Sequence, residues 1–336
     1  MLEQHEVAAY LLERRLVARR SVVSGQLRIA DASSRNRNFR VSGGPGESYL
    51  LKQGLAADGA QTLANEVALY RRLASGPSAM TAYIPRLYGY DDARGILVLE
   101  WIADGQDLYR HHAARDRCSS TLAAALGRVL ARLHAVAPDD EQLRRDAPWV
   151  LSLHRPPLDA LRYLSAASIE LIKVIQRDER FARGLDELRD GWRVEALVHR
   201  DVKWANCVAH APAAGARRNA IALVDWEMAG WGDPALDVGS AFGELIGHRL
   251  DAVGAQPATA ALWRAYVRGR RLDGDAAARL LDRAVRHAAA RLVQSAYEDT
   301  QEAGLTTARV ARSLQLAREI LSAPRAATTD LLGIAA

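Results

Sequence analysis

The segment His199-Arg200-Asp201-Val202-Lys203-Trp204-Ala205-Asn206 combines an acid, two cations and an amide within one short stretch of the chain. A second acid, Asp225, follows at the end of the apolar run Ile221-Ala-Leu-Val224. A carboxylate can accept a proton, and carboxylate and amide oxygens are the ligands that Mg²⁺ prefers. This order of one proton acceptor and two potential metal ligands is the feature from which fold and chemistry can be predicted.

Upstream of this segment, from about Gln26 to Trp101, short strand-like runs surround one helical run. The predicted helix covers Thr62–Leu73, where apolar residues recur at helical spacing before Gly76-Pro77. The predicted strands are Leu27–Ala30, Asn38–Val41, Ser48–Gln53, Pro85–Gly89 and Gly95–Ile102.

Downstream of Asp104-Gly105 the pattern is helical for most of the remaining length. Two apolar runs, Leu197–Val208 and Ile221–Trp226, interrupt it and flank a predicted hairpin at Ala211–Ala216. The predicted helices are Thr121–Val136, Pro157–Gln176, Asp178–Arg189, one from about Gly239, Pro257–Arg271, Gly274–Thr300 and Thr306–Ser322. Pro257 is predicted at the first position of its helix, and Ala323–Ala336 is expected to be frayed. The chain is therefore predicted to be α+β, with a small sheet first and helices after it.

Composition narrows the class of protein. The 336 residues are 49% hydrophobic and 25% charged, which suits a globular chain with two lobes. Cys118 and Cys207 lack the spacing of a disulfide framework or zinc site, and no apolar run approaches the roughly 18 residues of a membrane span. The acidic N-terminus is unlike a signal peptide, so we expect a cytoplasmic protein without a membrane partner. Despite a net charge of +5, the arginines recur at helical spacing, which favours solvated helix faces over nucleic-acid binding.

Several short strings occur in the order seen in one known group of enzymes. They are Tyr49–Lys52, Asn65-Glu66, Leu97–Ile102, Ala131–His134, Val198–Asn206, and Val224–Glu227 with Gly232–Asp237. Together, over roughly residues 28–239, they resemble the aminoglycoside phosphotransferase and choline kinase-like superfamily, which is related to the protein kinases. The resemblance implies a bilobal protein-kinase-like fold, with a nucleotide-binding lobe at 1–103, a hinge at 97–104 and a helical lobe at 104–336. It also implies a catalytic loop at 199–206 and a metal-binding segment at 225–237.

The same resemblance implies an enzyme that transfers phosphate from ATP with Mg²⁺ to a hydroxyl group. Lys52 would bridge the α- and β-phosphates and Glu66 would hold Lys52 by an ion pair. The hinge backbone at Glu100 and Ile102 would bind adenine. These four residues form the predicted nucleotide site, together with the two serines considered below.

The resemblance also assigns roles in the catalytic loop. Asp201 would orient the acceptor hydroxyl and take its proton, and Lys203 would lie against the transferred phosphate. Asn206 and Asp225 would bind Mg²⁺. His199 is expected to brace the loop, and Asp237 is expected to anchor it rather than touch substrate.

Two stretches depart from protein kinases. The predicted phosphate-covering loop, Asp31–Phe39, contains no glycine. Its backbone and the hydroxyls of Ser33 and Ser34 are predicted to cradle phosphate, with an ordinary polar hairpin as the alternative. Asp225-Trp226-Glu227 replaces Asp-Phe-Gly, and no Ala-Pro-Glu follows, which disfavours a protein kinase with an activation-segment switch.

The acceptor class is predicted from charge. The stretch from Arg264 to Arg291 contains eight arginines and three aspartates, and this positive balance disfavours a polycationic acceptor. Neutral or anionic metabolites and peptide Ser/Thr hydroxyls remain. The string His-Arg-Asp-Val-Lys resembles serine/threonine kinases, so one alternative is a Ser/Thr kinase of a ribosomal peptide natural-product pathway that acts before a separate lyase partner. A pseudokinase or binding scaffold is a further alternative, disfavoured because Lys52, Asp201, Asn206 and Asp225 are all present.

Overall fold

The structure is a computed structural model, and it describes residues 1–33, 37–54, 57–75, 80–115, 118–139, 141–210, 220–249 and 252–335, with side chains described except at 57–61, 220, 249, 252 and 253. The strands are β1 (Arg28–Asp31), β2 (Arg37–Ser42), β3 (Ser48–Gln53), β4 (Leu87–Asp91), β5 (Ile96–Glu100), β6 (Gln106–Asp107), β7 (Ala196–Val198), β8 (Cys207–His210), β9 (Ala220–Leu223) and β10 (Gly230–Gly232). The helices are α1 (Val7–Glu13), α2 (Arg19–Val23), α3 (Ala57–Ser75), α4 (Leu108–Ala113), α5 (Ser120–Leu133), α6 (Ala166–Gln176), α7 (Glu179–Asp190), α8 (Pro234–Arg249), α9 (Ala252–Arg270), α10 (Gly274–Ala303), α11 (Ala308–Ser322) and α12 (Pro324–Asp330).

The chain forms two compact units, and the first is built on an antiparallel sheet. This unit comprises Met1–Gln106 and Val208–Met228. Its five strands run in the order β1-β2-β3-β5-β4, and Lys52 on β3 lies opposite Leu97 on β5. Helix α3 is the single helix predicted for this region. The sequence patterns did not predict α1 and α2.

Helix α1 belongs to the hydrophobic core of the first unit, and Val22 of α2 packs against that core. Leu2, Val7, Tyr10 and Leu11 are buried in one hydrophobic cluster with residues of β2, β3 and β5 such as Leu51. Because alternate side chains of a strand face opposite sides, Leu51 and Lys52 project to different faces of the sheet. The N-terminal segment therefore covers the face of β3 opposite to Lys52.

The second unit, Asp107–Cys207 with Ala229–Ala336, is mainly helical. Helices that are distant in sequence pack together, chiefly α8 with α10 and α5 with α9, and the consecutive helices α10 and α11 also pack on each other. Strands β7 and β10 pair antiparallel, with Val198 opposite Gly230. With the antiparallel sheet of the first unit, this confirms the predicted α+β class.

Three helix predictions were wrong in detail. Helix α6 begins at Ala166 rather than Pro157, because Ser165 caps it by accepting from Ser168 N–H. Helix α9 begins at Ala252, so Pro257 lies inside it. The expected frayed end contains α12, because Ala327 and Thr328 are buried and Thr259 Oγ1 donates to Leu332 O at 2.6 Å.

The predicted hairpin at Ala211–Ala216 lies outside the described residues. Within the described ranges, no helix has the length and apolar character needed to cross a membrane.

Candidate active site

The first unit contains a buried cluster of one cation and two acids. Lys52 Nζ lies 3.1 and 3.2 Å from the two carboxylate oxygens of Glu66 on α3, and 2.7 Å from Asp225 Oδ1. The Lys52 and Glu66 side chains are 7% and 0% exposed, whereas Asp225 is 33% exposed. The ion pair predicted between Lys52 and Glu66 is therefore present, and Asp225 completes it.

Burial and charge act against each other in this cluster. Burial would lower the pKa of Lys52, but the carboxylates of Glu66 and Asp225 outweigh burial and raise it. Burial raises the pKa of Glu66 although Lys52 opposes the change. Lys52 therefore stays positively charged at neutral pH, which its predicted role of binding phosphate requires.

Asp225 follows β9 in a left-handed backbone conformation, with φ of 68°. Such a conformation is uncommon for a residue other than glycine and occurs often at functional sites. The next residue, Trp226, is fully buried; its backbone N–H donates to Glu66 Oε1 at 3.2 Å and its indole N–H to Leu223 O at 2.9 Å. The tryptophan that replaces phenylalanine of protein kinases thus fixes both Asp225 and Glu66.

The predicted catalytic loop, residues 199–206, lies in the second unit and brings its polar side chains together. Asn206 Nδ2 donates to Asp201 Oδ2 at 2.8 Å and to Asp201 O at 3.0 Å. Lys203 Nζ lies 2.8 Å from the same Oδ2. Burial would lower the pKa of Lys203, but the Asp201 carboxylate outweighs burial and raises it. One oxygen of Asp201 is therefore held by two donors, one of them cationic.

Asp237, at the start of α8, holds the backbone of the loop. Its Oδ2 accepts from His199 N–H at 2.7 Å and its Oδ1 from Arg200 N–H at 2.9 Å. His134 Nε2 lies 3.1 Å from Oδ2, and both side chains are fully buried. Burial would raise the pKa of Asp237, but His134, His199 and the backbone donors outweigh burial and lower it. Asp237 thus anchors the loop, as the sequence interpretation expects.

His199 also has the predicted bracing position. It is fully buried, and its Nδ1 accepts from Asp201 N–H at 3.3 Å. Arg200 between them has a φ of 69°, a second left-handed residue other than glycine. Each unit therefore has one such residue within its predicted functional segment, Asp225 in the first unit and Arg200 in the second.

The remaining predicted nucleotide residues are less distinctive. Ser33 Oγ accepts from Asn38 N–H at 3.1 Å, as in an ordinary hairpin, and Ser34 lies outside the described residues. Glu100 N–H donates to Arg86 O at 2.8 Å, so this amide is not available to adenine in this conformation. Ile102 O accepts from Gly105 N–H at 3.0 Å. The roles predicted for these four residues stay predictions.

The C-terminal arginines do not form a uniform cationic surface. Arg283 pairs with Asp233 and Glu195 at 2.9 and 3.1 Å. Arg286 pairs with Glu187 and Asp282, and Arg291 with Glu244 and Glu298. Three of the eight arginines are therefore paired with acids, some of which lie on other helices and outside the stretch that was counted. The count of arginines overstates the positive charge that an acceptor would meet.

Sequence reasoning missed Glu244, Arg291 and Tyr266 around the loop. Glu244 Oε2 accepts from Trp204 N–H at 2.8 Å and Arg291 Nε donates to Glu244 Oε1 at 2.8 Å. Tyr266 Oη lies 2.9 Å from His134 Nδ1. The available signal was the spacing of Gly239, Gly243 and Gly247 on α8, which places three glycines on one helix face and predicts a close helix contact beside Glu244.

A kinase-like loop and a buried Lys–Glu–Asp cluster define the class as kinase-type phosphotransferase. The chain belongs to the phosphotransferase enzyme family (APH), whose sequence profile matches residues 26–281. It is a kinase-type enzyme. A search of the curated proteins finds no significant match.

Solved structures with the same fold include one kinase and two phosphotransferases. The Plasmodium vivax ethanolamine kinase Pv091845 has a TM-score of 0.60 at 14% identity, covering 92% of this chain and 86% of its own. The apo macrolide 2'-phosphotransferase MphH of Brachybacterium faecium has a TM-score of 0.51 at 20% identity, covering 87% and 92%. The streptomycin-ATP-APH(2")-IIa ternary complex has a TM-score of 0.51 at 15% identity, covering 94% and 99%. At these identities the likeness shows the fold alone.

Proposed function

We propose that this protein transfers the γ-phosphate of ATP, bound with Mg²⁺, to a hydroxyl group, and that Asp201 accepts the hydroxyl proton. The environment of Asp201 carries the proposal. Asn206 and Lys203 both hold Oδ2, at 2.8 Å each. The Asp201 side chain is 14% exposed, so an acceptor hydroxyl can reach it. Fixing the carboxylate in this way supplies the orientation that phosphoryl transfer needs from its base.

ATP is the proposed donor. Lys52 would contact the α- and β-phosphates, and its buried position on β3 with Glu66 at 3.1 Å holds the ammonium in place. Its contact with Asp225 at 2.7 Å would rearrange when phosphate arrives. The ternary complex of APH(2")-IIa, whose fold is similar, contains ATP and streptomycin, which supports a nucleotide in this chain.

The donor atoms suit Mg²⁺. Asn206 uses its amide nitrogen on Asp201, so its amide oxygen is the atom with metal-binding chemistry. Asp225 offers a carboxylate that is one-third exposed. The described residues contain no group of three or more His, Cys, Asp or Glu that could hold a metal; in phosphotransferases, one or two side chains with the substrate phosphates suffice. Bound Mg²⁺ would neutralise charge on the β- and γ-phosphates.

The reaction then proceeds with few protein groups. The acceptor oxygen forms a bond to the γ-phosphorus while the bond from that phosphorus to the β-phosphate oxygen breaks, releasing ADP. The hydroxyl proton passes to Asp201. Lys203, kept cationic by Asp201, balances charge on the transferred phosphoryl group. Asp201 and Lys203 are therefore the proposed catalytic residues.

A small-molecule hydroxyl is the proposed acceptor. The family is named for phosphotransferases, and three of the eight arginines that favoured an acidic peptide, Arg283, Arg286 and Arg291, are paired with acids. A peptide Ser/Thr hydroxyl, with a lyase partner acting afterwards, is the second candidate, supported by the string His-Arg-Asp-Val-Lys at 199–203.

A panel of acceptors with γ-labelled ATP tests the proposal. Aminoglycosides, choline, ethanolamine, simple sugars, anionic metabolites and a Ser/Thr-rich acidic peptide are each incubated with enzyme and Mg²⁺. We expect label on a small molecule and a melting temperature raised by Mg²⁺-ATP, since a ligand that binds only the folded state stabilises it. Label on the peptide alone would favour the second candidate. If no acceptor is labelled and nucleotide does not change the melting temperature, the protein would be a scaffold that binds a partner and transfers nothing.

A further inference from the structure

The backbone of the catalytic loop is held by a buried ion pair for which the proposed chemistry has no use. Trp204 N–H donates to Glu244 Oε2 on α8 at 2.8 Å, and Arg291 Nε on α10 donates to Glu244 Oε1 at 2.8 Å. The side chains of Glu244 and Arg291 are 13% and 7% exposed. A single carboxylate therefore joins the loop to α10.

Arg291 carries its charge despite burial. Burial would lower its pKa, but Glu244, Glu298 and, to a smaller extent, Asp201 outweigh burial and raise it. Arg291 Nη2 lies 3.4 Å from Glu298 Oε2, and Glu298 Oε1 accepts from Gln294 Nε2 at 2.9 Å. The guanidinium is thus fixed from two helices, and its charge acts on Asp201 as well as on Glu244.

Glycines of α8 make this contact possible. A Cβ on Gly243, next to Glu244, would lie 2.8 Å from Arg291 Cβ and 2.9 Å from Ala288 O. Real Cβ atoms essentially never come so close to other heavy atoms. Helices α8 and α10 therefore approach each other closely where the ion pair forms, which leaves the two long side chains little freedom.

We propose that Glu244 and Arg291 are positioning residues that fix Trp204 and, through it, the turn that presents Asn206 to Asp201. Residues 204–206 form one short 3₁₀ turn, in which Asn206 N–H donates to Lys203 O at 2.9 Å. A shift of Trp204 in so short a turn moves Asn206 as well. The kinetic consequence rests on the proposed function, whereas the positioning of the loop can be measured without catalysis.

Amide hydrogen exchange at Trp204 tests the positioning directly. Arg291→Met keeps the apolar stem and removes the charge that orients Glu244. We expect the Trp204 amide to exchange about tenfold faster than in the wild type, because hydrogen bonds to charged groups contribute strongly. Arg283→Met is the matched control: Arg283 lies on the same helix, is 15% exposed and pairs with Asp233 at 2.9 Å. It should leave Trp204 exchange unchanged.

Kinetics test the consequence for catalysis, with ADP formation from Mg²⁺-ATP and water as the phosphate acceptor. Arg291→Met and Glu244→Ala should lower kcat about tenfold with little change in the KM for ATP, since small misplacements of catalytic groups are costly. Arg291→Lys, which keeps the charge, and Glu244→Gln, which keeps an acceptor for Trp204 N–H, should each recover part of the rate. Losses should not add in the double variant, because both act on one contact.

The inference would be overturned if the Trp204 amide exchanged as slowly in Arg291→Met as in the wild type. It would also be overturned if Arg283→Met accelerated this exchange as much as Arg291→Met does. Faster exchange with an unchanged kcat would also overturn it, provided that Asp201→Asn abolishes ADP formation. If Asp201→Asn itself leaves the rate unchanged, the proposed function fails, while the exchange result still decides whether Arg291 positions the loop.

Discussion

The buried pair of Lys52 and Glu66 gives two opposite substitutions that should differ in their dependence on pH. Breaking a buried ion pair by removing one partner costs about 3–5 kcal/mol, because the other charge is left without compensation. Here the two remaining charges are not equivalent. After Glu66→Ala, Lys52 keeps Asp225 at 2.7 Å. After Lys52→Met, Glu66 keeps the Trp226 N–H at 3.2 Å but loses its cation.

Glu66→Ala should therefore cost about 3 kcal/mol, the lower end of that range. At roughly 2–4 °C per kcal/mol, the melting temperature should fall on the order of 6–12 °C. The loss should change less between pH 5 and 8 than the loss in Lys52→Met, because Lys52 limits the rise in the pKa of Glu66 in the wild type.

Lys52→Met should behave differently. Burial already raises the pKa of Glu66 above its ordinary value of 4.5, and removing Lys52 removes the main influence that lowers it. A carboxyl group whose pKa is higher in the folded state costs stability as pH rises from the unfolded pKa to the folded one, by about 1.4 kcal/mol for each pH unit between the two values. The difference in unfolding free energy between wild type and Lys52→Met should be small near pH 5 and should widen toward pH 8.

Urea unfolding of both variants at pH 5, 6, 7 and 8 measures these differences. Glu13→Gln serves as control, since Glu13 and Arg94 form an exposed pair at 3.7 Å that should contribute little. A gap between wild type and Lys52→Met that stays constant from pH 5 to 8 would refute the reasoning that Glu66 is left as a buried, unpaired carboxyl group.

Three further predictions concern the loop, the helix contact and the metal. Asp237→Asn should cost about 3–5 kcal/mol of unfolding free energy at pH 7. The pKa of Asp237 is lowered from its ordinary value of 3.8, so the wild type gains stability above pH 3.8 and loses it as pH falls through the folded-state pKa. The variant should therefore lose stability less steeply in acid, and a loss as steep as in the wild type would contradict this. Gly239→Ala should cost about 1–3 kcal/mol of unfolding free energy, since the new Cβ would lie 2.4 Å from Ala284 O. Gly274→Ala should not destabilise, because the space around Gly274 is open. Equal melting temperatures for the two variants would count against a close helix contact. Asp225→Asn should reduce the rise in melting temperature with Mg²⁺-ATP more than with ATP and chelator, and an equal reduction in both would exclude Asp225 as a metal ligand.

Local pattern was enough to predict most single strands and helices. The ion pair of Lys52 and Glu66 and the anchoring role of Asp237 were instead implied by the resemblance to the kinase-like superfamily, and the structure has both contacts. The strands of the first unit were predicted because alternation and turn residues mark them within a few positions. Helix type was easier to predict than helix ends, as the start of α6 at Ala166 illustrates.

Contacts between distant residues could not be predicted from one sequence. Arg291 and Glu244 are 47 positions apart, and although the glycines of α8 predict a close helix contact, they do not identify α10 or Arg291 as the partner. The same limit explains why counting arginines overstated positive charge: the acids that pair with Arg283 include Glu195, 88 positions away. Helices α1 and α2 were missed because short apolar segments become helices here through burial against the sheet rather than through strong periodicity.

The rate of phosphoryl transfer by Asp201→Asn tests the central claim most directly. Substitution keeps the shape and removes the proton acceptor, so single-turnover ADP formation should fall by roughly 10²- to 10⁴-fold. The rise in melting temperature with Mg²⁺-ATP should persist, and Asp159→Asn, an exposed acid in the same unit, should react like the wild type. A near-wild-type rate in Asp201→Asn would contradict the assignment of Asp201 as the catalytic base.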